Sequence, residues 1–277
     1  MSTRSNVLTV GKQSVMWPNK ILNYSARLWF IITVIGQILF AIYVALFYGG
    51  AAMEGDFMRW NRVLPHGYVE GETMGNLAVA THLLFAVVVL FGGPIQFIPK
   101  LRNKFPLFHR WNGRIYLSAA LLLSISGLYM VISKGTISGL VGDISVSLNG
   151  ILILLFSIYA LTTAMKRKIV VHRKWVLRLF LAMGGVWFFR IGLMFWLLVN
   201  GGPVGFDPET FRGPFLVFLG FGQYLIPLIL LEFYFWSQKK RKAATKLTMA
   251  MTLFIFTIIT AIGTFAATMG MWLPRLG

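Results

Sequence analysis

Residues 76–98 read NLAVATHLLFAVVVLFGGPIQFI, and in that run His82 is the sole ionisable side chain. A helix rises about 1.5 Å per residue, so about 20 apolar residues cross the roughly 30 Å hydrocarbon core of a bilayer. The run from Asn76 to Ile98 is therefore read as a membrane-spanning helix. Six further runs of the same kind flank it: Ala26 to Tyr48, Trp111 to Ile132, Ser145 to Ala164, Trp175 to Val199, Pro214 to Trp236 and Leu247 to Met269.

The expected fold is all-α, a polytopic membrane bundle of seven transmembrane helices. Composition agrees, with 57% hydrophobic and 12% charged residues against roughly 25% charged in an ordinary soluble domain. Residues 1–25 read as a cytoplasmic tail and 26–277 as the transmembrane domain, with a core bundle at about 76–199. The first run is longer than the apolar region of a signal peptide and no Ala-x-Ala site follows it, so it reads as a retained span.

The formal charge of +18 is explained by topology. Basic residues crowd the tail (Arg4, Lys12, Lys20) and alternate loops: Lys100, Arg102, Lys104 and Arg110; Lys166, Arg167, Lys168, Arg173 and Lys174; Lys239, Lys240, Arg241, Lys242 and Lys246. Seven of the eight acidic residues fall in the intervening loops. Lys and Arg are retained on the cytoplasmic side, which predicts the N-terminus inside and the C-terminus outside a bacterial inner membrane. Anionic lipid headgroups are the partners expected for such loops. Nucleic acid is not, because that reading needs a basic face on a soluble module. The absence of cysteine removes disulfides, thiolate metal sites and thiol catalysis.

Trp29, Trp111, Trp175, Trp236 and Trp272 stand at span ends, where amphipathic rings serve as interfacial anchors. The loop from Gly49 to Gly75, with Pro65-His66-Gly67-Tyr68, has two readings, a cover over the outer mouth of the bundle or a mobile connector. Small residues mark helix faces that meet protein. They recur at helical spacing as Gly113, Leu117, Ala120, Ser124 and Gly127 on the third span, and as His82, Ala86, Val89, Gly93 and Gln96 on the second.

Ionisable residues deep in a span mark sites, because burial costs several kcal/mol unless a partner is present. His82, Arg190 and Glu232 are the three. Counting residues puts His82 and Arg190 roughly 10 Å from the outer edge, with Gln223 slightly deeper. This predicts one buried polar site in the outer half. A neutral His82 bonded to a carbonyl or Ser is the alternative. The expected partner of Arg190 is Glu70 or Glu72 folding in, a carbonyl, or an anionic ligand. Glu232 is expected to pair with Lys239 or another loop cation.

A second signal is a repeated motif: Phe108-His109-Arg110-Trp111 with Arg114, and Val171-His172-Arg173-Lys174-Trp175 with Arg178. A weak internal repeat follows from it, the second and third spans against the fourth and fifth. His109 and His172 open two helices on the same side of the membrane. Helix N-termini flanked by Arg110 and Arg173 attract anions, either lipid phosphates or the propionates of a haem. Two readings stand: a bis-imidazole site for haem b, or interfacial anchors. Zinc needs about three protein ligands, and the four histidines are scattered over three depths. No metal site beyond haem iron is expected, and the sequence carries neither a nucleophile elbow nor a phosphate-cradling Gly-rich loop.

The chain resembles the bacterial family of predicted membrane proteins catalogued as domain of unknown function 2306. The residues that carry the resemblance are His82, Gly93-Pro94-x-Gln96, Pro99-x-x-Arg102, Phe108-His109-Arg110-x-x-Gly113-Arg114-x-Tyr116, His172-Arg173-x-Trp175 and Arg190. It implies an integral membrane protein and names no reaction. A looser likeness is to di-haem cytochrome b proteins with four-helix cores, although here only His82 lies deep in a span.

The residues thus suggest electron transfer through haem or quinone, with His82, His109 and His172 as cofactor ligands. The alternative is a transporter or a lipid- or anion-binding protein using Arg190, Gln223, Arg110 and Arg173. A structural or assembly role is the third.

Overall fold

In the computed structural model the described residues are 3–64 and 66–276, with side chains described from residue 17 onward. The chain is helical nearly throughout. α1 (Thr3–Val44) continues through a π-helical turn at Ala45–Gly49 into α2 (Gly50–Met53). There follow α3 (Thr73–Ile95), the short α4 (Pro99–Lys104), α5 (Pro106–Lys134), α6 (Gly139–Met165), α7 (Ile169–Met183), α8 (Gly185–Asn200), α9 (Pro214–Lys239) and α10 (Ala243–Ala267). The described part of the predicted polar tail is helical from Thr3, so the first helix begins well before Ala26.

The boundaries have local causes. Pro99, Pro106 and Pro214 stand in the first turns of α4, α5 and α9, where proline's missing N–H has no partner to lose. Gly201 ends α8 with φ 66° and ψ 15°, a left-handed cap that glycine adopts without a Cβ clash.

Among the described residues six helical stretches are long and apolar enough to cross a membrane, or seven if α7 and α8, bent by 51°, form one span. The run from Trp175 to Val199, read as one span, is broken into two helices by this bend. The bend falls at Gly184, and polar side chains flank it. A Cβ on Gly184 would lie 2.9 Å from Gln37 Nε2, and one on Gly185 would lie 2.7 Å from Asn149 Nδ2. Asn149 Nδ2 donates to the Ala182 carbonyl at 3.2 Å, satisfying an acceptor next to the break. A kink at a Gly pair with a side chain bonded into the ladder is an established way to bend a helix.

α3, α5, α6 and α7 share one apolar core around Val89, Tyr116, Ala120, Ile153, Leu179 and Ala182. The two small-residue stripes meet antiparallel: a Cβ on Gly113 would lie 3.5 Å from Gln96, and one on Gly127 would lie 3.1 Å from His82. A larger core joins α1, α8 and α10. There the helices approach so closely that a Cβ on Gly263 would lie 2.5 Å from the Ile191 carbonyl oxygen. Trp29 donates from Nε1 to Thr260 Oγ1 at 3.1 Å across this seam, and Trp272 is 2% exposed. These two tryptophans are core residues rather than the expected anchors. Trp111 and Trp236 remain half exposed.

The loops 54–72, 135–138 and 201–213 gather at one end of the bundle, called here the acidic end. The 54–72 loop is folded onto the helices. Trp60 is buried and donates from Nε1 to the Tyr48 carbonyl at 3.0 Å. Asn61 makes a bonded pair with the Tyr68 backbone, and Asn76 makes another with Val69. Lys134 ties the loop to α5 through the His66 carbonyl (2.8 Å) and the Glu72 carboxylate (3.1 Å).

Candidate functional site

α3 and α8 bring His82 and Arg190 to one cavity of about 170 Å³. Its walls are mainly apolar, with Phe40, Val79, Leu90 and Trp187 among them, and Leu64 of the folded 54–72 loop also lines it. The common depth inferred for His82 and Arg190 by residue counting thus corresponds to a shared space. Gln223 lines a second cavity, of about 330 Å³, to which Arg190 also contributes. Arg190 and Val186, one helical turn apart, separate the two.

His82 is held by α5. Its Nδ1 lies 3.1 Å from the Leu123 carbonyl and 3.4 Å from Ser126 Oγ. A carbonyl only accepts, so Nδ1 carries the proton and Nε2 is the free nitrogen of the ring. Gly127 leaves the room the ring occupies. The alternative reading of His82 as a histidine satisfied by a carbonyl and a Ser therefore describes its Nδ1 side.

Arg190 donates to the Val186 carbonyl at 3.3 Å and stacks over Phe40, with 5.1 Å from guanidinium carbon to ring centre. Neither neighbour carries negative charge. The eight acidic residues are accounted for elsewhere. Glu54 and Asp56 pair with Arg59, Glu72 with Lys134 and Glu232 with Arg178. Asp143 accepts from the Thr136 backbone at 2.6 Å, and Asp207 from the Glu209 backbone at 2.9 Å and the Thr210 hydroxyl at 2.8 Å. Glu70 and Glu209 are exposed, and among the described residues neither forms an ion pair with Arg190. Of the partners expected for Arg190, a carbonyl is the one found, that of Val186, and Glu70 and Glu72 are not.

The cavity holds further donors. Trp187 lines it, and its indole Nε1–H is buried without an acceptor among the described residues. Tyr48 also lines it. The lining thus includes one guanidinium-bearing residue and two hydrogen-bonding aromatics, and no carboxylate.

His109 and His172 stand elsewhere. Leu123, which holds His82, lies 14 residues along α5 from His109, or about 21 Å at the helical rise. The three histidines therefore do not converge on one group. His109 and His172 are half-buried in the first turns of α5 and α7, and His172 Nδ1 is bonded to the Ala160 carbonyl at 2.9 Å. Arg110 and Arg173 are exposed. Glu232 meets Arg178 of α7 at 2.6 Å, which corrects the expectation of Lys239 or another loop cation.

Sequence reasoning missed Leu64, Tyr48 and Trp187. Leu64 comes from the loop, and the other two are indistinguishable in sequence from lipid-facing aromatics. The Gly184-Gly185 pair was the one visible sign that the helix carrying Arg190 is broken.

No curated protein and no solved structure matches the chain, and the looser likeness to cytochrome b proteins finds no support among them. The motifs quoted for the family resemblance span His82 to Arg190, and the comparison agrees: residues 79–209 match the model of the predicted membrane protein family DUF2306.

Proposed function

We propose that this multi-pass membrane protein binds an anionic small molecule in the His82–Arg190 cavity, as a transporter or a lipid- or anion-binding protein would. The observation that carries the reading is Arg190: a guanidinium inside a span, lining an open cavity, with every carboxylate side chain among the described residues engaged elsewhere or exposed. Guanidinium stays charged at any working pH, and an unpaired buried charge is costly. A bound carboxylate or phosphate would supply the missing counter-charge. We also place the acidic end outside the bacterial inner membrane, because Lys and Arg gather in the opposite loops.

The test uses full-length protein in detergent and thermal unfolding with decanoate or the uncharged decanol. A ligand that binds only the folded state adds about 2.7 kcal/mol at a hundredfold excess over Kd. Decanoate is expected to raise Tm by several degrees and decanol to leave it unchanged, with the decanoate shift lost in Arg190→Gln. An equal shift in Arg190→Gln overturns the reading.

A second reading, haem b in membrane electron transfer, rests on His172. Its bonded Nδ1 leaves Nε2 as the free nitrogen, the arrangement a haem ligand needs. His109, within electrostatic range, would be the other ligand. A reduced-minus-oxidised spectrum of protein made under haem supplementation tests it, and a missing alpha band removes it.

A further inference from the structure

The 330 Å³ cavity between α6, α8 and α9 combines two features that rarely occur together in a membrane helix bundle. Its rim is apolar and open: Val141, Val146, Val186 and Val217 line it while remaining 36–45% exposed. On spanning helices such exposed aliphatic side chains face lipid tails. Charged and polar groups interrupt the apolar lining, with Arg190, Arg212, Ser145 and Gln223 among the lining residues and no carboxylate.

Arg212 is presented on a rigid loop. Asp207 N–H donates to the Arg212 carbonyl at 2.8 Å, Phe215 N–H to the Gly205 carbonyl at 3.1 Å, and Trp196 Nε1–H to the Val204 carbonyl at 2.7 Å. Gly213, at φ 148°, sits where a Cβ would lie 2.5 Å from the Gly205 carbonyl oxygen, so this turn requires glycine. The guanidinium of Arg212 rests over the first residue of α6, since a Cβ on Gly139 would lie 3.1 Å from its Nη2. Among the described residues Arg212 forms no ion pair. The cavity therefore carries two guanidinium groups without counter-ions, one at the mouth and one at the wall shared with His82.

We propose that this cleft is the membrane-side entrance to the anion site, and that it takes an amphiphile whose head is a phosphate and whose tail stays among the exposed aliphatic residues. The assignment rests on the anion-binding reading of Arg190. It adds the head group, the direction of entry and a role for Arg212. Phosphate is favoured over a single carboxylate because its greater charge suits a cleft that presents guanidinium groups along its length and no carboxylate. The same head chemistry is offered by a membrane phospholipid and by free phosphate from water, and the test separates them.

Full-length protein in detergent is titrated with dioctanoyl phosphatidic acid, dioctanoylglycerol or inorganic phosphate, with Tm as the readout. The expected result is a saturable rise with phosphatidic acid, none with dioctanoylglycerol, and a much weaker effect of inorganic phosphate at equal concentration. Arg212→Gln should raise the half-maximal concentration of phosphatidic acid about tenfold, as expected when one of two charged contacts is lost, and leave the decanoate response intact. Arg212→Lys should recover part of that loss. An Arg212→Gln protein that responds to phosphatidic acid as wild type does overturns the entrance while leaving the Arg190 reading standing. Inorganic phosphate that matches phosphatidic acid overturns the amphiphile. Loss of the decanoate effect's dependence on Arg190 counts against the anion site itself.

Discussion

His82 Nδ1 lies 3.1 Å from the carbonyl of Leu123, a contact that joins α3 to α5 and leaves one nitrogen of the ring free within the cavity shared with Arg190. The ring fits because α5 has glycine opposite it. A Cβ on Gly127 would stand 3.1 Å from His82 Cε1 and 3.3 Å from Nδ1, tighter than ordinary contact, whereas one on Gly113 at the other end of the same interface would stand 3.5 Å from Gln96.

Gly127→Ala should therefore push the imidazole aside and weaken decanoate binding. Gly113→Ala should leave binding unchanged and stabilise the protein by up to about 1 kcal/mol through helix propensity. Isothermal titration and thermal unfolding of both variants check this pair. Equal binding in Gly127→Ala and wild type would show that the ring position is irrelevant to the site.

The partner of Glu232 offers a second test. Arg178 Nη2 meets it at 2.6 Å, the Glu232 side chain is 52% exposed, and the guanidinium also stacks on Trp175 with 4.5 Å to the ring centre. A double-mutant cycle of Arg178→Met and Glu232→Gln should give a coupling of at least about 0.5 kcal/mol. The cycle with Lys239→Met should give none. Coupling to Lys239 instead would return the pairing to the loop.

Acid should act on the 201–213 loop only at low pH. The Glu209 backbone N–H, followed by the Thr210 hydroxyl, holds the Asp207 carboxyl below the usual carboxylate range. A lowered pKa means that the contribution to stability is complete above the ordinary Asp value, near 3.9. It is lost as pH falls through the lower folded value. Trp196, bonded to Val204 and stacked on Phe215 at 4.4 Å, is a reporter inside the loop's own contacts. In a protein that keeps Trp196 and has its other tryptophans replaced by Phe, fluorescence should hold steady to below pH 4 and then change. The change should be absent in Asp207→Asn, and an unaltered transition in that variant would assign it to another group.

Orientation follows from charge. An alkaline phosphatase reporter fused after Gly277 should be active and a green fluorescent protein reporter dark, since the chain end is expected outside the inner membrane. The opposite pattern would invert the assignment of the acidic end.

The spans were legible because a run of about 20 apolar residues has few other uses. Counting along the helices also suggested that His82 and Arg190 lie near one another, and they line one cavity. Azimuth was not legible. Which side of α8 carries Arg190 into the cavity depends on the 51° bend at Gly184, where Asn149 of α6 bonds the Ala182 carbonyl. Trp29 and Trp272 were misread for a related reason. A tryptophan near a span end satisfies its indole equally well at a headgroup or on a neighbouring helix, and Thr260 provides the latter for Trp29. Leu64 was illegible because a Gly-rich loop has no periodicity to show which residue turns inward. The His109 and His172 motif was the most conspicuous sequence signal, yet it lies about 21 Å along α5 from the level of His82.

The most direct test of the central claim is a structure of the full-length protein with 10-bromodecanoate, located by the anomalous signal of bromine. The account predicts a carboxylate within hydrogen-bond distance of the Arg190 guanidinium, in the cavity lined by His82 and Trp187. A ligand bound elsewhere, with Arg190 paired to a carboxylate of the protein, would contradict it.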